Sequence, residues 1–306
     1  MSTYASSRSA AGRERLEGLG LLLLTACSWG LNWPIAKFML TELPPFSMRL
    51  ACCAGGVVFA FLLVLLRGER IWVPRPLWPR LVLFAMLNFG AFSVLTTLSL
   101  AWLRASEAVI VTYTLPIWAS LLAWPVLGER PTLSSVLALV LGLAGVAMLV
   151  GVDASAATEA KLPGVAMGLA AAVLFGLGTV LAKRHPLAVP PVAGVFWQVV
   201  VGLVPIVLLA LTEQPDWSAV TPLVAASGLY VAILPMTLSY VAWFRALRLL
   251  PASTAATGVL IAPIVGVCTS AVMLGDPLGP RQLVALVVTL SGVALAAWRP
   301  ARQGRR

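Results

Sequence analysis

Residues 28–37 read SWGLNWPIAK and residues 174–183 read LFGLGTVLAK. At an offset of 146, Trp29 meets Phe175, Gly30 meets Gly176, Leu31 meets Leu177, Ala36 meets Ala182 and Lys37 meets Lys183. The same offset lays Pro44-Pro45 on Pro190-Pro191. With one residue added, at 147, Ala105-Ser106 falls on Ala252-Ser253, Pro116 on Pro263, Gly128-Glu129 on Gly275-Asp276 and Gly145-Val146 on Gly292-Val293. Self-similarity at a fixed spacing means that one structural plan is used twice.

Composition says where the plan is built. Of the 306 residues, 60% are hydrophobic and 10% are charged, whereas a soluble surface needs about a quarter charged. This is an all-α membrane protein. A spanning helix needs roughly 20 apolar residues, and Pro, Gly and charge clusters cut the chain into ten such runs. They lie near 18–40, 46–66, 81–102, 107–127, 132–151, 162–182, 191–211, 220–244, 253–274 and 280–298. Five spans per half is an odd number, so the second half enters the membrane in the opposite sense. The expected fold is ten transmembrane helices in two inverted repeats, 17–151 and 162–298, between an N-terminal tail, 1–16, and a basic C-terminal tail, 299–306.

The net charge of +10 would suggest nucleic acid in a soluble protein, so its placement matters. If both termini are cytoplasmic, 16 of the 21 cations fall on the inner side. Lys37, Arg49, Arg104, Lys161 and Arg281 fall on the outer side or at span ends, with seven of the 11 acids. That bias is the positive-inside rule, and an even number of spans returns the C-terminus to the starting side. The basic charge is topology and implies no nucleic acid. Cys27, Cys52, Cys53 and Cys268 lie within predicted spans, without disulfide or metal-ligand spacing. No metal or other cofactor is expected. "LTAC" at 24–27 has the form of a lipoprotein cleavage box, but cleavage there would leave half a span.

Inverted repeats are the construction of many secondary transporters, with the substrate site between the halves near the midplane. The segment WGLNWPIAK, with residues 105–149 and their twin 252–296, resembles the two EamA units of the drug/metabolite transporter superfamily. The likeness covers roughly residues 17–298, departing at Asp276, where Glu is usual, and at Phe175, where Trp is usual. The resemblance implies ten helices, a central cavity and efflux of small metabolites, often amino acids. Bacterial inner-membrane amino-acid exporters, including the YddG type that exports aromatic amino acids, are the relatives it suggests. The implied partners are a small-molecule substrate and the lipid bilayer, and ten spans suffice for a monomer.

The polar and aromatic residues nearest span centres are Trp29, Asn32, Trp33, Asn88, Ser93, Thr112, Tyr113, Thr179, Tyr230, Ser239, Tyr240 and Thr257. Such residues bind a zwitterion by hydrogen bonds and an apolar side chain by ring contact. The plainer reading is interhelical hydrogen bonding, worth about 0.6 kcal/mol per pair. Asn32, Trp33 and Pro34 stand against Gly178, Thr179 and Val180 in the twin. A substrate lacks the two-fold symmetry of the scaffold, so residues that break the repeat are the better site candidates.

Pro34, Pro116, Pro205, Pro235 and Pro263 interrupt spans as kinks, because each removes a helical N–H. Gly164, Gly168, Ala172 and Gly176 form one ridge, which reads either as a sliding surface or as static packing. Lys37, Arg104, Glu107, Glu129, Lys183 and Asp276 fall at span boundaries. No mid-span carboxylate offers itself as a proton carrier, which favours facilitated export unless Glu107 is drawn inward. Other readings are multidrug efflux, or sugar-phosphate or nucleotide-sugar transport, the last two needing cations deep in the cavity. An intramembrane enzyme would need an Asp pair, a His-containing site or a nucleophile–base pair at membrane depth, and none can be assembled.

Overall fold

The computed structural model describes residues 2–130, 132–150, 159–250, 254 and 258–297. Among the described residues every regular element is helical. The helices are α1 (Ser2–Met39), α2 (Pro45–Leu66), α3 (Trp78–Ala85), α4 (Ala91–Trp102), α5 (Ala105–Thr112), α6 (Leu115–Leu127) and α7 (Leu133–Val150). The second half holds α8 (Leu162–Arg184), α9 (Pro191–Ala210), α10 (Pro222–Ile233), α11 (Ser239–Leu249), α12 (Ile261–Leu274) and α13 (Pro280–Ala297). In hydrocarbon every backbone polar group must be satisfied within the protein, which is why apolar sequence of this kind folds as helix.

Among the described residues, seven stretches are long and apolar enough to cross a membrane: Arg13–Met39, Pro45–Leu66, Arg75–Trp102, Ala105–Leu127, Leu162–Arg184, Pro191–Ala210 and Pro222–Leu249. Three further apolar helices, Leu133–Leu149, Ile261–Leu274 and Pro280–Leu295, are shorter. Helix α1 starts at Ser2, so the N-terminal tail is continuous with the first span. Its Ala, Arg and Glu residues favour helix and no proline stops it before Pro34.

At equivalent places in the two halves the helix widens into a π turn. Met86–Gly90 joins α3 to α4, and Leu234–Leu238 joins α10 to α11. Proline explains only the second, since Pro235 cannot donate to the helical ladder. The first holds Asn88 and Gly90 instead, so the irregularity belongs to the shared plan. The expected kinks at Pro116 and Pro263 lie in the opening turns of α6 and α12, where a missing N–H costs least. Both helices end on left-handed glycines, Gly128 at φ 74° and Gly275 at φ 69°. Pro34 is absorbed within an unbroken α1.

The halves interlock. Helix α1 packs on α11 and α12, α8 on α4 and α6, α2 on α9, and α7 on α13. Each pair joins one half to the other, and twin residues make twin contacts. A Cβ on Gly30 would lie 2.5 Å from the Ala262 carbonyl oxygen; on Gly176 it would lie 3.3 Å from that of Leu115, the twin of Ala262. Trp29 packs edge-on against Tyr240 at 5.5 Å between ring centroids, and its twin Phe175 meets Phe92 at 4.9 Å. The glycine ridge of α8 is part of this seam, with Gly164 against Trp102 and Leu103, and Gly168 against Ser99 and Val111.

Carboxylates tie the ends. Glu213 accepts from the Phe46 and Ser47 N–H groups at 3.0 and 2.7 Å, and Glu69 accepts from those of Val192 and Ala193, both at 3.0 Å. Each acid comes from the other half and sits at a helix N-terminus, where unpaired N–H groups and the helix dipole favour an anion. Beside Lys37, Asp276 accepts from the Ser106 hydroxyl at 2.6 Å and its N–H at 3.0 Å. At the opposite end Lys183 pairs with Glu129 at 2.9 Å.

Candidate functional site

Trp29, Trp33 and Lys37 recur every fourth residue on α1, so they share one face of it. The Trp29 indole N–H donates to the Pro235 carbonyl at 3.1 Å, in the π turn of the other half. Its ring meets Tyr240 and, at 5.9 Å, Trp243. One turn along, buried Trp33 lies 6.4 Å from the ring of Tyr113, at the break between α5 and α6. Trp29 and Trp33 thus carry ring contacts one turn apart on α1, to Tyr240 on α11 and to Tyr113 at the end of α5, with the Pro235 carbonyl against Trp29.

Polar atoms around this cluster are left without partners. Among the described residues, the buried side-chain atoms lacking any hydrogen bond include Asn32 Oδ1, Thr112 Oγ1 and Ser239 Oγ. Thr25, one turn from Trp29, donates to the Ser239 carbonyl at 3.3 Å, which brings α11 against the same part of α1. Tyr230 and Ser28 lie beside each other, again across the halves. An unsatisfied buried polar atom costs about 1–3 kcal/mol, so such a concentration in a protein of few polar residues marks a place for water or a polar ligand.

Other predicted residues stand apart. Asn88 sits in the first π turn, where its buried, unpartnered Oδ1 presses so close to Gly178 that no Cβ would fit there. Ser93 is buried on α4, and its carbonyl accepts from the Thr96 hydroxyl at 3.2 Å. Thr179 is exposed, its hydroxyl donating to the Phe175 carbonyl at 2.9 Å. Thr257 lies outside the described residues.

Two of the charged residues expected at span ends lie in the opening turns of α2 and α5 and are buried there. Glu107 is 4% exposed, accepts from Lys161 at 2.6 Å and also from the Arg104 N–H at 3.2 Å. Arg49 is 5% exposed, its Nε–H donating to the Thr97 hydroxyl at 2.8 Å. A hydropathy reading gives their distance from the span end but not their burial, which the packing of neighbouring helices sets. For Arg49 a signal was present: its repeat partner is Val195. Lys37 also turns inward, donating to the Leu100 carbonyl on α4.

The family model described as the EamA-like transporter family matches residues 16–151 and again 162–298. The uncharacterized transporter YvbV of Bacillus subtilis strain 168 is 28% identical, over 90% of this chain and 90% of its own. A probable terminal-alkyne amino-acid exporter of Streptantibioticus cattleyicolor is 27% identical over 90% of this chain and 91% of its own. A probable amino-acid metabolite efflux pump of Salmonella typhimurium is 26% identical over 89% and 92%. A solved crystal structure superposes with a TM-score of 0.64 at 20% identity, covering 93% of this chain and 97% of that one, which supports the fold.

Proposed function

Because the chain belongs to the EamA-like transporter family of the drug/metabolite transporter superfamily, and is a multi-pass membrane transporter and no enzyme, we propose that it exports amino acids or similar small metabolites. The observation that carries this reading is the ring cluster of Trp29, Trp33, Tyr113 and Tyr240, built from both halves and bordered by the unpartnered polar atoms of Asn32, Thr112 and Ser239. Rings accept an apolar side chain and the free polar atoms accept an ammonium or donate to a carboxylate. Amino-acid export in the names of two relatives points the same way.

Ten spans in two inverted repeats, with both termini in the cytoplasm of a bacterial inner-membrane protein, account best for the charge bias and the twin contacts. Transport then runs by alternating access, the two halves exchanging conformations. Trp33 is buried while its twin Thr179 is exposed, and Lys37 is turned inward while its twin Lys183 is surface-paired. These differences fit a pathway sealed at the Lys37 end and open toward the Lys183 end. Glu107 is engaged by Lys161, which supports facilitated export over obligate proton antiport.

Purified protein in liposomes loaded with labelled amino acids tests the reading. Protein-dependent flux without a pH gradient is the expected result. Absence of flux for every amino acid overturns the substrate class, and flux that requires an imposed proton gradient overturns the uncoupled mechanism.

A further inference from the structure

The repeat separates contacts that change during transport from contacts that need not. When two halves exchange conformations, a contact already equal to its twin survives the exchange, and one that differs from its twin is remade. Helices α7 and α13 show the first kind. A Cβ on Gly145 would lie 2.9 Å from the Ala285 carbonyl oxygen, and one on its twin Gly292 would lie 2.8 Å from that of Ala138, the twin of Ala285. The caps that Glu69 and Glu213 place on α9 and α2 match in the same way. Lys37 and Lys183 show the second kind. Lys183 pairs with Glu129, whereas among the described residues Lys37 is in no ion pair, although Asp276 holds the place of Glu129. Chain spacing from the glycine contact is the same in both halves: Lys37 stands seven residues beyond Gly30 and Asp276 fourteen beyond Ala262, as Lys183 stands beyond Gly176 and Glu129 beyond Leu115.

The connection between α4 and α5 engages both residues instead. Lys37 donates to the Leu100 carbonyl on the α4 side, and Asp276 accepts from the Ser106 hydroxyl and N–H on the α5 side, at 2.6 and 3.0 Å. Lys161 adds a third tie through Glu107 at 2.6 Å. Helix connections ordinarily run over the protein surface, yet Leu103, Ala105, Ser106 and Glu107 are all buried. Leu100 is 1% exposed, while its twin Leu247, at the other end of the molecule, is 38% exposed. The acid and the cation that hold the connection here are thus the counterparts of the acid and the cation that hold each other there.

We propose that Lys37 and Asp276 form a two-position latch. In the sealed state each holds the α4–α5 connection. In the opposite state the connection withdraws and the two residues pair with each other, as Lys183 and Glu129 do at the open end. Lysine suits the exchange because its ammonium is a point charge on a flexible stem, able to serve a carbonyl or a carboxylate without a fixed geometry. Pairing on opening also keeps both charges satisfied at the edge of hydrocarbon, where a lone charge is expensive. The proposal rests on the alternating-access reading and is independent of which substrate is carried.

Leu103→Cys in the full chain, held in lipid nanodiscs, reports withdrawal of the connection through its rate of labelling by a membrane-impermeant maleimide, with the chain lacking that substitution as blank. The rate follows the population of the open state. Ser106→Ala removes a charge-assisted hydrogen bond from the sealed state alone and is expected to raise the rate about tenfold. Asp276→Asn and Lys37→Gln keep a group able to hydrogen-bond the connection but lose the opposite charges of the pair. Either one, added to Ser106→Ala, is expected to return the rate toward that of Leu103→Cys by itself. Were Asp276 only a static cap, Asp276→Asn would loosen the connection and label as fast as Ser106→Ala or faster; that result overturns the latch and leaves alternating access standing, because the end still opens. An unchanged rate in Ser106→Ala overturns the latch as well. Labelling at the blank level in every variant overturns alternating access at this end and the latch with it. Should Asp276→Asn fail to fold, Lys37→Gln decides by the same criterion.

Discussion

Replacing Gly30 by alanine tests whether the seam between the halves is packed as tightly as the contacts indicate. The new Cβ would lie 2.5 Å from the Ala262 carbonyl oxygen and 2.8 Å from Val265 Cβ. The first of these is backbone and cannot swing aside, so α1 and α12 must part. At Gly176, the twin, the nearest atoms are 2.9 Å (Ala119 N) and 3.2 Å (Trp118 Cβ), and at Gly20 nothing lies within 4 Å. Glycine to alanine in a helix gains up to about 1 kcal/mol in propensity, while overpacking costs about 1–3 kcal/mol. Gly20→Ala should therefore stabilise by up to ~1 kcal/mol, Gly176→Ala, whose Cβ meets backbone at 2.9 Å, should destabilise by up to ~1 kcal/mol, and Gly30→Ala should destabilise by up to ~2 kcal/mol. Unfolding midpoints by tryptophan fluorescence in detergent, at one fixed scan rate because membrane proteins unfold irreversibly, read the order, each kcal/mol being worth about 2–4 °C. A Gly30→Ala midpoint equal to or above that of Gly20→Ala refutes close packing at the seam.

Trp29→Phe copies the twin residue and removes the bond to the Pro235 carbonyl; a loss of about 0.5–1.5 kcal/mol and reduced flux in folded protein are expected, read by midpoint and liposome assay. Glu107→Gln breaks a pair whose acid is buried and whose lysine is 29% exposed, so a loss of about 1–3 kcal/mol, discounted for that exposure, should appear and be partly recovered in Glu107→Gln with Lys161→Met. Glu129→Gln, from a pair exposed at both partners, should shift the midpoint by less than that of Glu107→Gln, less than about 1 kcal/mol. Glu69→Gln and Glu213→Gln each remove a helix-end carboxylate, at about 1 kcal/mol apiece, and should add independently because they act at opposite ends.

Much of this was legible before any coordinates. The repeat was visible in glycines and lysines because close approach and helix ends tolerate few residue types. Aromatic residues on one face of α1 follow from helical spacing, so Trp29 and Trp33 could be named from sequence. What sequence concealed is three-dimensional. Hydropathy assigns Arg49 and Glu107 to span ends, whereas their burial depends on α4 and on the loop before α8, distant along the chain. Thr179 satisfies the same spacing rule as Trp33 yet is exposed, because the two halves stand in different environments. Asn88 carries the right chemistry, but a glycine on α8 draws it into a helix–helix contact.

The paired π turns also set the rotational phase of the chain. Each takes one residue more than an α turn, and each residue advances a helix by about 100°. A helical wheel drawn through residues 78–102 or 222–249 therefore misregisters everything beyond the turn. Removing a single residue from Met86–Gly90 would let the turn close to ordinary helix and leave α4 in its present phase, keeping Thr97 at Arg49, whereas the same deletion where no wide turn can absorb it would rotate everything beyond by about 100°. The equivalent deletion in Leu234–Leu238 would likewise keep Tyr240 at Trp29. Residue number at two points, and not side-chain identity alone, thus determines which surfaces these helices present to the centre of the protein.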